Sequence, residues 1–145
     1  MKTKNNSILT IAMTLLLLLM QTFALTSEAQ AQTLAKGDDN FYHITSEADW
    51  NTFVSMVNGG TDFNGETVVL DEDISVTTLA GTTTHKFAGT FDGQELSITV
   101  SYDNTSFPND PADKYAALFR FCNGVTIKNL TVKGTITTKL NLELA

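Results

Sequence analysis

A mainly β fold, its short strands wound in rungs and accompanied by one helix, is what the 145-residue sequence predicts. Three observations carry that reading. Between Ala117 and Ile136 apolar and polar residues alternate: Val125 and Ile127 with Thr126 and Lys128, then Leu130 and Val132 with Thr131 and Lys133. Period-two alternation marks strands with one buried face. Only one or two residues separate these runs, at Asn123-Gly124, Asn129 and Gly134, and Asn and Gly tolerate the left-handed backbone of a sharp corner. Finally, apolar residues at helical spacing form one stripe, from Trp50 to Val57.

Taken in order, residues 1–31 have the features of a signal peptide. Lys2 and Lys4 precede the apolar run Ile8–Met20, and Ala29-Gln30-Ala31 supplies the small residues that signal peptidase reads, so cleavage is expected before Gln32. Gln21, Thr22, Ser27 and Glu28 cut the run short of the roughly 20 apolar residues of a membrane span. No membrane span is expected after cleavage. The only cysteine is Cys122, so no acylated cysteine follows the cleavage point and no internal disulfide forms.

Residues 32–40 read as a flexible lead-in, and 41–145 as the folded domain. Phe41–Ile44 is a short candidate strand. The helix is expected over 47–58, with Ser46 as N-cap, Asp49 in a capping-box-like position and Gly59-Gly60 as the stop. Trp50, Phe53, Val54 and Val57 make its buried stripe. Asp62–Gly65 is turn chemistry, and Glu66–Val76 is a strand pair broken at Asp71-Glu72-Asp73. Thr77–Thr84 reads as a polar excursion. Phe87, Gly89 and Phe91, then Leu96, Ile98 and Val100, alternate on either side of Asp92-Gly93. A hairpin there would set Phe87 opposite Ile98 and Gly89 opposite Leu96, which keeps an antiparallel β-sandwich with one helix open as the alternative. Asn104–Lys114, with Pro108 and Pro111, reads as a surface loop.

The run Trp50, Phe53, Val57, Asn58 and Gly60, then Phe63, Gly65 and Thr67 through Ile74, then Phe87-x-Gly89-Thr90-Phe91-Asp92-Gly93, then Leu118-Phe119, then Ile127-x-Asn129-Leu130-Thr131-Val132-x-Gly134, resembles exported Bacteroidetes proteins with GLUG-type repeats. These are similar to right-handed parallel β-helices of adhesins and cell-surface proteins, and the likeness covers most of residues 46–136. It implies strands stacked in parallel with the helix capping the first rung. It brings no catalytic residues. In such a stack Ile127 and Leu130 should face inward and Lys128 and Thr131 outward. Ile127→Ala should then cost about 2–5 kcal/mol and Lys128→Ala under about 0.5 kcal/mol. Solenoids need about three rungs and capped ends. Lys139–Ala145 offers no cap, so the domain reads as incomplete at its C-terminus, and its last rung as an edge for self-association.

Charge and motifs narrow the function. Net charge is −7; losing Lys2, Lys4 and Glu28 with the leader makes it one unit more negative. Such a surface repels phosphate backbones, which excludes nucleic acid as a partner. Asp71 and Asp73 are the candidate metal ligands, with calcium as the cation. A solvated corner accounts for them as well, because calcium takes roughly six to eight oxygens. Tyr102, Phe107 and Tyr115 flank the long loop as candidate sugar-stacking residues. His43 and His85 are isolated in sequence, and Cys122 lacks the basic neighbours of a nucleophile. With no catalytic motif present, the sequence reads as a non-catalytic, exported cell-surface or secreted adhesin-like module, its partners glycans or host and cell-surface proteins. The alternatives are the non-catalytic N-terminal part of a polysaccharide-degrading β-helix enzyme, or a spacer presenting a downstream domain.

Overall fold

Each time the chain turns a polar corner it lays a strand beside the one from its previous pass, running the same way. A computed structural model describes residues 33–104 and 115–138. Residues 1–31, expected to be a signal peptide, Phe107 and Lys139–Ala145 lie outside the described residues. The elements are β1 (Tyr42–Ile44), α1 (Glu47–Asn58), β2 (Thr67–Leu70), β3 (Ile74–Val76), β4 (Thr90–Asp92), β5 (Ser97–Asp103), β6 (Thr126–Lys128) and β7 (Thr131–Thr137). They form two sheets, ordered β1-β2-β4-β6 and β3-β5-β7. All five ladders are parallel.

Register stacks like on like. Tyr42, Val68, Phe91 and Ile127 form one column of the first sheet. Ile74, Ile98 and Val132 form a column of the second, and Val76, Val100 and Gly134 another. The space between the sheets is filled mainly by rings: Trp50, Phe53, Phe63, Phe87 and Phe91 are fully or almost fully buried. Trp50 meets Phe119 edge-on at 5.7 Å, and Phe53 meets Phe87 edge-on at 5.3 Å, the geometry that the ring quadrupole favours.

The helix begins and ends as its sequence predicts. Ser46 accepts from the Asp49 backbone N–H at 3.2 Å, and the stripe Trp50, Phe53, Val54, Val57 is buried. Polar groups pin it to the first pass. Trp50 Nε1 donates to the Thr78 carbonyl (3.1 Å), Thr78 Oγ1 bonds Asn51 (2.6 Å), and Asn58 accepts from the Gly81 N–H (2.8 Å). Thr77–Thr84 is thus more than a polar excursion: Leu79, Ala80 and Gly81 are buried, and Ala80 bridges to Phe119 in parallel.

Several expectations are corrected here. Asp92-Gly93 is not a hairpin, so the antiparallel sandwich does not form. The chain leaves β4 for the other sheet, turning through Gln94 and Glu95 at φ 48° and 64°. Phe87 bridges to Cys122, and Ile98 lies between Ile74 and Val132. Gly93 is required by proximity, since a Cβ there would meet the Asn129 carbonyl and Leu130. Gly134 marks no corner. It lies inside β7 at φ 105°, where a Cβ would run into the Val100 backbone. Ile127 continues the inward column but is 42% exposed, and Val132 and Ile136 are 53% and 39% exposed. Parity was right and burial was not, because among the described residues no strand lies beyond β6 or β7.

Residues 33–40, expected as a flexible lead-in, include a turn closed by Gly37 N–H to the Phe41 carbonyl (2.8 Å). Lys36 there ion-pairs with Glu66 and lies over the Tyr42 ring.

Candidate functional site

Strand register determines which polar side chains share the outer face of the first sheet. Because Ile44, Val68, Leu70 and Phe91 point inward, the row His43, Val69, Asp92, Lys128 points outward. The corners that follow the strands add Asp71, Gln94 and Asn129 to the same side.

His43 lies between two carboxylates. Its Nδ1 is 2.7 Å from Asp71 Oδ2 and its Nε2 is 3.0 Å from Asp39 Oδ1. A carboxylate can only accept, so both contacts favour the imidazolium, in which each ring nitrogen donates. Its pKa is raised above 6.5, chiefly by the bond to Asp39 and then by that to Asp71. The His43 bond likewise holds Asp39 below the ordinary value of 3.8. The other oxygen of Asp71 accepts from Gln94 Nε2 (3.0 Å), which also donates to the Leu70 carbonyl (3.0 Å). Asp92 takes Lys128 Nζ at 2.9 Å, Asn129 Nδ2 at 3.0 Å and the Gln94 backbone N–H at 3.1 Å. Lys128 is the leading cause that lowers its pKa. The result is a chain of paired charges and amides running across four strands.

The candidates named from sequence are placed apart. Asp71 is engaged by His43 and Gln94, whereas Asp73 turns to Ser97, accepting from its backbone N–H (2.7 Å) and hydroxyl (3.0 Å). The two carboxylates therefore do not converge on a common cation position. Among the described residues no three His, Cys, Asp or Glu side chains are grouped to hold a metal. Tyr102 sits on β5, half-buried against the core and level with Ile136. Tyr115 is 54% exposed with its ring 5.1 Å from that of Phe121. Phe107 lies outside the described residues. His85 Nδ1 donates to the Asn58 carbonyl at 2.6 Å, a bond that satisfies the helix end. Cys122 is exposed, and desolvation raises its thiol pKa, the direction opposite to that of a reactive thiolate.

Sequence reasoning missed the grouping of Asp39, His43, Asp71, Gln94, Asp92 and Lys128. Asp39 lies close to His43 in the chain and Asp92 close to Gln94; these pairs, Asp71 and Lys128 meet through the parallel register, and no local spacing announces that. What the group can do follows from its protonation. With both nitrogens held by carboxylates, the protonated His43 ring has no lone pair for a base or a metal, and the row presents donors and acceptors on a sheet face. Among the described residues no helix is long and apolar enough to cross a membrane. No known protein family, curated protein or solved structure matches this chain.

Proposed function

We propose that this chain folds as an exported right-handed parallel β-helix and serves as a cell-surface or secreted, adhesin-like binding module without catalytic activity or a cofactor. The observation that carries this reading is the register. Three passes stack in parallel with apolar columns inside, and the same register aligns Asp71, Gln94, Asp92, Lys128 and Asn129 on one outer face. The right-handed sense is the one that parallel crossovers take almost without exception. The resemblance to exported GLUG-type repeat proteins supports both the architecture and the address.

Such a face presents carboxylate, amide and ammonium groups held by their own network, the donor and acceptor set that pairs with glycan hydroxyls. Holding them on strands rather than loops limits the ordering cost of binding. The full chain should therefore bind immobilised glycans or cell-surface protein. Lys128→Ala and Gln94→Ala should weaken binding, and a chelator should leave it unchanged. No glycan or peptide should be cleaved. Turnover abolished by a single acidic substitution would overturn the reading and make the chain itself catalytic.

A further inference from the structure

We propose that β7 is a self-complementary edge through which two copies of this chain pair end to end about a two-fold axis at Gly134. The two ends of the stack differ. On the first pass, α1 lies against β3, hydrogen-bonded to Thr77, Thr78 and Gly81. At the other end every residue of β6 and β7 is exposed. Only this second end is open to strand addition among the described residues, so stacking head to tail would meet the helix, whereas stacking tail to tail would not.

The backbone of β7 has the parity such pairing requires. Thr131 N–H donates to the Leu96 carbonyl, and the Thr137 carbonyl accepts from Asn104 N–H. Odd positions thus spend their groups on the β5 side. Strand alternation leaves the N–H and C=O of Val132, Gly134 and Ile136 directed at the free edge. A two-fold axis at Gly134 sets Gly134 against itself, Val132 against the second copy's Ile136, and Lys133 against its Thr135. The residues that turn backbone groups outward therefore face one another, as the hydrogen-bonded pairs of an antiparallel ladder do.

Side chains obey the same symmetry. Val132 and Ile136, equally spaced from Gly134, are the two large apolar residues that β7 leaves exposed. Each faces the other type across the axis, continuing the inner columns of Ile98 and Tyr102. No lysine opposes a lysine within the ladder. The pass from Asn123 to Thr138 contains no acidic residue, and its two lysines are engaged within their own copy, Lys128 with Asp92 and Lys133 with the Ser97 hydroxyl. An isologous contact of this kind closes at two copies, whether or not the outer polar row binds a glycan.

Sedimentation velocity of the full chain over a concentration series tests the proposal. The expected result is a monomer–dimer equilibrium. Thr135→Lys, which sets two lysines opposite Lys133 side chains without touching the core, should raise the dissociation constant by about tenfold or more with an unchanged circular dichroism spectrum. The register is tested separately in a Cys122→Ser background. V132C mixed with I136C should form a disulfide-linked dimer, while either variant alone should not, because a hydrogen-bonded pair lies about 5.5 Å apart at Cα. A concentration-independent monomer, oligomers that keep growing with concentration, or cross-linking of V132C alone would each overturn it.

Discussion

His43 owes its charge to Asp39 and Asp71, and the pH dependence of that contact follows from its two partners. The His43 pKa is raised in the folded chain, so its contribution is fully present below the unfolded value of 6.5 and is lost as pH rises through the folded value. Asp39 is lowered, so its contribution is present above 3.8 and is lost as pH falls through its folded value. The pair should stabilise most between these limits. Urea midpoints measured across that range should fall on the alkaline side, less so in high salt because the groups are solvent-accessible, and His43→Asn should flatten the alkaline limb. Gly93 makes a second test at this scale. A methyl there would meet the Asn129 carbonyl and Leu130 of the next corner. Gly93→Ala should therefore cost about 1–3 kcal/mol, as overpacking does, measured by denaturant unfolding; an unchanged midpoint would mean that the corners do not touch.

Single strands here are too short to be stable alone, and their worth depends on what stacks on each side. Phe91 in β4 has β2 on one side and β6 on the other and is fully buried. Ile127 sits in the same column one pass later, with one side open and 42% exposed. Phe91→Ala should cost about 3–5 kcal/mol, while Ile127→Ala should cost about 1–2 kcal/mol because only part of its side chain leaves water on folding. Similar losses in the two variants would show that β6 is covered. Strand parity at Ile127 could be read from Thr126 and Lys128 beside it. Burial could not, since it depends on a neighbour in space.

For the molecule as a whole, stacking makes stability unequal along the axis, because interior passes have two neighbours and the last has one. Amide hydrogen exchange should therefore be slowest in β2, β4 and β5 and fastest in β6 and β7. Uniform protection would contradict an open last pass. The aromatic interior ties the passes together: Trp50 of α1 reaches both Phe91 and Phe119. Loss of the helix should consequently expose rings from every pass rather than unfold one end.

What the sequence determined by itself were the features set within a few residues. Ser46, Asp49 and Gly59 delimit the helix, Trp50, Phe53, Val54 and Val57 choose its buried face, and alternation from Val125 to Val132 marks strands with one inner side. These follow from backbone geometry and side-chain period, which neighbouring residues contain in full. Only the tertiary structure decided whether Asp92-Gly93 made a hairpin or a corner, because both keep the same parity. It alone placed Asp39 and Asp71 on His43, turned Asp73 away to Ser97, and put Gly134 inside a strand against Val100. Each of these depends on register between strands many residues apart, and register is settled by how the aromatic core closes around Trp50 and Phe53.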